Sequence, residues 1–173
     1  IGPANRTLII ARKSALDHQR FWKEVPNGVQ TIVSKIGPWH STISSVGQNF
    51  ADRHQAMYGF WPESYSFESY DAVRLMAEAV NRAGTVEPKA VIEALENIDV
   101  ELASGYYCFP EGTSYDASNV SCGFGDEQMW HQWPYPPILF LQYTSEGQSS
   151  SDMSVIWPQS FQNSISTILV EDN

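Results

Sequence analysis

Few residues in this chain are placed to do covalent chemistry. The starting points are two cysteines, Cys108 and Cys122, and four histidines, His18, His40, His54 and His131. His131 lies nine residues past Cys122, which fits no common zinc-finger spacing, so thiols and imidazoles form no recognisable metal set. None of the histidines sits in a catalytic motif. No Gly-x-Ser-x-Gly, His-Glu-x-x-His or phosphate-loop pattern occurs. The sequence therefore points away from an enzyme and implies no metal and no cofactor. The cysteines can instead pair with each other. The segment between them, residues 109–121, is polar and rich in turn residues. A polar loop with a cysteine at each base suggests a disulfide staple, and hence an oxidising compartment. The alternative is two unrelated buried thiols.

Charge narrows the partners further. The chain of 173 residues carries 20 acidic against 10 basic side chains, a formal net charge of -10. A surface of that sign is repelled by phosphates, so nucleic acid is excluded as an expected partner. No apolar run reaches the ~20 residues of a membrane span. No signal peptide is legible at the start, and a mature secreted chain would have lost one. Asn5-Arg6-Thr7 and Asn119-Val120-Ser121 match the glycosylation acceptor pattern, which only a secreted chain could use.

The elements that would position these residues read as α/β. Residues 7–11 and 29–34 are short apolar runs, as buried strands would be. A short helix through Trp22 and Glu24 lies between them, and Pro26-Asn27-Gly28 signals a turn. Gly37-Pro38 then breaks the chain. Helical spacing follows at Val46, Phe50, His54, Met57 and Tyr58, closed by Gly59. A longer helix over about 69–83 carries the stripe Tyr70, Val73, Met76, Ala77, Val80 and Ala83, and Gly84 ends it. Pro88 opens a third helix at its first turn. Residues 105–109 look like a strand. Residues 138–143 carry the strongest strand signal in the chain, and 153–157 pair with them as a hairpin.

The order of several words is familiar. Phe21-Trp22-Lys23-Glu24-Val25, Phe67-Glu68-Ser69-Tyr70-Asp71-Ala72-Val73, Val91-Ile92-Glu93-Ala94-Leu95-Glu96 and His131-Gln132-Trp133-Pro134-Tyr135-Pro136-Pro137 occur in sequence. In that order the chain resembles the C-terminal part of the type I periplasmic binding proteins, the branched-chain amino acid and amide receptors of ABC transporters. The resemblance runs over roughly residues 21–158. It implies parallel sheets flanked by helices in two lobes, with a terminal β-hairpin and ligand gripped in the cleft between lobes. On that plan 1–36 is a strand-helix-strand of the second lobe, and 37–100 holds a hinge and first-lobe helices. Residues 101–158 return to the second lobe with the stapled loop and hairpin, and 159–173 is a tail.

The same resemblance places the ligand-binding candidates. Arg12, Lys13, Ser14 and Ala15 follow the first strand, where strand ends face the cleft. The alternative for Arg12 and Lys13 is a solvated pair of loop charges. Asn27 stands in the turn where resembling amino acid receptors carry a carboxylate for the ligand's ammonium. Its neutrality suits an amide or another uncharged ligand better. Trp39 follows the hinge-like Gly-Pro and could cover a ligand or pack the hinge. Tyr65 precedes the main helix at the cleft edge. Trp130-His131-Gln132-Trp133 reads as structural.

Two functions fit. One is an extracytoplasmic solute-binding receptor component, periplasmic, secreted or at the cell surface. It would bind a small polar ligand, an amino acid, an amide or similar, and serve a membrane transporter or a sensor. The other is a structural or assembly subunit of a cell-surface complex that keeps the fold without binding ligand. In either case the chain lacks the earlier strands of both lobes. It is expected to be completed by an N-terminal portion of the same receptor or by another chain. Peptide mapping without reductant is expected to recover Cys108 and Cys122 in one linked fragment. Closing a loop of ~15 residues gives about 3 kcal/mol in the chain-entropy model, so reduction should lower stability by that amount. Two alkylatable thiols in unreduced protein would refute the pairing.

Overall fold

The computed structural model describes residues 9–12, 20–36, 44–109, 132–133 and 136–163. Strand β1 (Ile10–Arg12) pairs in parallel with β2 (Ile32–Ile36), with Ile10 opposite Ile32 and Arg12 opposite Ser34. Strand β5 (Ile138–Gln142) runs antiparallel to β2, and β6 (Ser154–Trp157) antiparallel to β5. The sheet order is β1-β2-β5-β6. Successive side chains of a strand alternate faces, yet Thr31, Ile32 and Val33 are all buried, as are Leu141 and Gln142. The two central strands are therefore covered on both faces. The terminal hairpin appears as expected from the sequence. The parallel strands begin about three residues later than their apolar runs, because Val29 and Gln30 still belong to the turn. Gln30 adopts φ 71° there and donates its N–H to the Tyr143 carbonyl at 2.7 Å.

Between β1 and β2 lies α1, the single turn Phe21–Glu24. Three long helices follow: α2 (Ser45–Tyr58), α3 (Ser64–Ala83) and α4 (Pro88–Glu96). Ser44 caps α2 by accepting from the Gly47 N–H at 2.8 Å. Gly59 and Gly84 end α2 and α3 in the left-handed conformation, as their positions in the sequence suggested. Pro88 opens α4, where a missing N–H does no harm, and Glu87 accepts from the Ala90 N–H.

Helix α3 starts five residues earlier than its sequence stripe implied. Its buried positions are Phe67, Asp71 and Ala79. With half-buried Leu75 they recur every fourth residue and form one face. Of the apolar stripe read in the sequence, Val73 is 71 % and Met76 52 % exposed, while half-buried Tyr70 packs against the core and stacks on Phe50. In α2, too, Met57 and Tyr58 lie exposed, while Gly47 and Ala51 are buried.

Strands β3 (Asp99–Leu102) and β4 (Gly105–Cys108) form a separate antiparallel hairpin turned at Ala103 and Ser104. The strand partner of β4 is β3, and the hairpin is bonded to the helices. The Ser44 hydroxyl donates to the Leu102 carbonyl at 2.9 Å. Arg82 of α3 donates to the Asp99 carbonyl at 3.0 Å. β3 escaped notice in the sequence because its exposed Asp99 and Glu101 leave it only Leu102 as a buried residue.

Gly47 sits where α2 meets the hairpin. A Cβ at this position would stand 2.2 Å from the Ala103 carbonyl oxygen, a backbone atom that cannot swing aside. Gly47→Ala is expected to destabilise the protein by about 1–3 kcal/mol, the usual range for overpacking. The urea midpoint reads this directly, and an unchanged midpoint would contradict the packing described.

Candidate functional site

In an open sheet with parallel strands, ligands are taken at the carboxyl ends of those strands. Here that edge is formed by Arg12 at the end of β1 and Ile36 at the end of β2. Ile138, the first residue of β5, lies opposite Ile36. Of the expected site residues, Arg12 ends its strand on this edge. Lys13, Ser14, Ala15 and Trp39 lie outside the described residues. Tyr65 is in the first turn of α3 and 47 % exposed.

Asn27 does not join them. The register places it before the start of β2, at the amino end of the parallel pair, whereas Arg12 closes the carboxyl end. The two positions lie at opposite ends of the parallel pair. The amino end is moreover filled by aromatic side chains. Phe21 stacks on Tyr143 at 4.1 Å between ring centres, and Trp22 meets both rings edge-on. The Trp22 Nε1–H donates to the Gln148 carbonyl at 2.7 Å. Gln148 in turn accepts from the Thr144 N–H and donates to the Asp152 carbonyl. Asn27 thus stands beside a packed end of the sheet.

The best-defined polar centre lies elsewhere. Asp71 on α3 is fully buried. Its Oδ1 accepts from the Ala103 N–H at 2.8 Å and its Oδ2 from the Ser104 N–H at 2.6 Å. The Tyr107 hydroxyl donates to Oδ2 at 3.1 Å. Three donors on one buried carboxylate are what such a group needs to be tolerated in a core. The arrangement holds the hairpin turn against the helix and leaves no oxygen facing an opening. Behind α3 an apolar cavity of about 250 Å³ is lined by Leu75, Ile92, Leu95, Glu96 and Phe109. Among the described residues no three or more His, Cys, Asp or Glu converge to hold a metal, and no helix is long and apolar enough to cross a membrane.

Similarity to known proteins is visible at the level of structure. No family model and no curated protein matches the sequence. Among solved structures, the leucine-binding protein LivK of Thermotoga maritima superposes with a TM-score of 0.62 at 16% identity, over 88% of this chain and 38% of that one. A putative branched-chain amino acid ABC transporter protein of Silicibacter pomeroyi gives 0.61 at 18% identity, over 91% and 39%. LivJ of Streptococcus pneumoniae, solved with isoleucine, gives 0.58 at 14%, over 87% and 37%. A periplasmic binding protein type 1 of Bordetella pertussis also matches, with a TM-score of 0.53. The fold is that of the type I periplasmic binding proteins. It spans about 38% of the LivK chain.

Within this periplasmic-binding fold, two residues that position the hairpin, Asp71 and Ser44, went unrecognised in the sequence. Asp71 was read only as part of a helical word. Its signal was a carboxylate in register with Phe67, Leu75 and Ala79 on the buried face. Ser44 was hidden in a polar run, and its partners on β3 lie far along the chain. Trp133 was read as structural, and it stacks on Tyr107 at 4.0 Å and donates Nε1–H to the Tyr106 carbonyl at 2.8 Å. Cys108 is buried at the end of β4 and is no free thiol, while Cys122 lies outside the described residues.

Burial, and after it the negative charge of Asp71, push the Tyr107 phenol above its ordinary value of 10.0. Tyr107 therefore keeps the proton that it donates. A group whose folded value is raised contributes stability that is fully present below its unfolded value and lost as pH climbs through the folded one. Denaturant stability is expected to fall as pH rises past 10.0, and Tyr107→Phe should flatten that fall relative to wild type. Parallel slopes for the two proteins between about pH 9 and pH 11 would remove Tyr107 from the account.

Proposed function

We propose that this chain is the C-terminal part of an extracytoplasmic solute-binding receptor, which closes on a small polar ligand in a cleft between two lobes. The observation that carries the reading is a type I periplasmic-binding fold whose parallel pair presents its carboxyl edge, with Arg12 at the end of β1. Relatives in shape include LivJ solved with isoleucine and a Desulfitobacterium hafniense substrate-binding protein solved with leucine. Both are named as transporter substrate-binding proteins, which supports binding for transport or sensing without catalysis. The ligand contacts proposed are Arg12, Lys13, Ser14 and Ala15 at the carboxyl edge, with Trp39 or Tyr65 at its margin. A Cys108–Cys122 disulfide would suit the oxidising compartment of such a receptor.

The exposed second face of α3 supports a further element of the reading, that another polypeptide segment completes the fold. Val73 and Met76 on α3 and Ile92 on α4 are more than half exposed. The same face gives the assembly-subunit alternative its footing, since a fold kept only for assembly would need it equally.

Isothermal calorimetry of the native protein against leucine, isoleucine, valine, short amides and short-chain acids separates the two readings. A receptor is expected to bind one class and to gain about 2.7 kcal/mol of stability at a hundredfold excess of ligand over Kd. Arg12→Ala should weaken that binding. Absence of heat and of stabilisation across the panel would favour the assembly subunit.

A further inference from the structure

The pairs of elements that pack extensively fall into two groups: β1 with β2, β2 with β5 and β5 with β6 in the sheet, and α3 with α4 and β3 with β4 on the helical side. The β3–β4 hairpin touches both sides. Towards the helices, Asp71 holds the Ala103 and Ser104 amides, and Ser44 holds the Leu102 carbonyl. Towards the sheet, Trp133 stacks on Tyr107 and donates to the Tyr106 carbonyl. Pro137, immediately before β5, lies against Gly105, where a Cβ would be 3.0 Å from its Cγ and 3.7 Å from Trp133 Cζ2. Tyr107 is common to both sets of contacts, since its hydroxyl donates to Asp71 while its ring receives Trp133.

We propose that this hairpin is a polar coupling piece between helices and sheet, beside the apolar core in which Ala51 and Phe67 meet the sheet's Val33, Leu139 and Leu141. Asp71 fixes it to α3, and Trp133 with Pro137 fixes the start of β5 to it, so that a displacement of α3 is transmitted to the central strands. The carrier is rigid. The turn is pinned by a buried carboxylate, and the stacked ring pair resists sliding because it is also hydrogen-bonded. Chains of packed and hydrogen-bonded side chains of this kind carry coupling between sites. It operates whether or not a ligand occupies the cleft, so it stands apart from the solute-binding reading.

Hydrogen exchange of the native protein without ligand tests this. Asp71→Asn places an N–H₂ group or a weaker acceptor before the two turn amides. Exchange is expected to rise about tenfold, an ordinary coupling magnitude, both at Ala103 and Ser104 and along Ile138–Gln142, with α4 unchanged. A rise confined to the hairpin, or no rise, would overturn the proposal. Should Asp71→Asn prevent folding, Trp133→Phe decides the matter, since it keeps an aromatic ring on Tyr107 and removes the Nε1–H bond. Faster exchange along β5 with the Ala103 and Ser104 amides still protected is the expected result. Unchanged exchange along β5 would end the idea, and the outcome is independent of any calorimetric result with amino acids.

Discussion

The helical half of this protein depends on one buried carboxylate. The Ala103 and Ser104 residues that turn the β3–β4 hairpin are themselves fully buried, so their N–H groups have no water to turn to. Leaving one such donor unsatisfied costs about 1–3 kcal/mol. Asp71 answers both and takes the Tyr107 hydroxyl as a third. The rest follows from that demand. The helix must present Asp71 inward, which fixes its rotation. That rotation turns Phe67 and Ala79 to the same side and Val73 and Met76 to the other. Gly47 must lack a side chain so that α2 can approach the turn that Asp71 holds.

The sheet half is organised by a different constraint, the contrast between its two ends. One end is closed by Phe21, Trp22 and Tyr143, a cluster of rings whose polar tip is satisfied through Gln148. Gly28 lies directly under Phe21, where a Cβ would come within 2.5 Å of the ring, so the turn before β2 is shaped by packing. The opposite end carries the carboxyl termini of β1 and β2. In α/β sheets generally, function gathers at that end and stability at the other.

Much of this organisation was legible from residue type and spacing. Gly59, Gly84 and Pro88 punctuate the helices where left-handed and proline-tolerant positions occur. The Ile and Leu run of β5 and the Met153 and Val155 alternation of β6 fixed the terminal hairpin. Misreadings came where local pattern competes with long-range partners. The residues of α3 that face inward, Phe67, Asp71 and Ala79, follow a pattern broken by a carboxylate, so periodicity of apolar residues alone did not pick them out. Strand β3 shows one buried residue, so its pairing with β4 had no periodic signature. Asn27 was placed by analogy along the chain, and only the strand register shows which end of the sheet it occupies.

The two-sidedness of α3 bears on how its tolerance to substitution is measured. Phe67, Asp71 and Ala79 are enclosed by this chain's own atoms, whereas Val73, at 71 % exposed, has little to lose here. A saturation scan of these 173 residues alone would score Val73 and Met76 as freely replaceable, even by lysine or glutamate. The same scan in a protein where that face is covered would rank them with the core. The difference between the two tolerance maps, position by position along α3, would trace the outline of whatever lies against it.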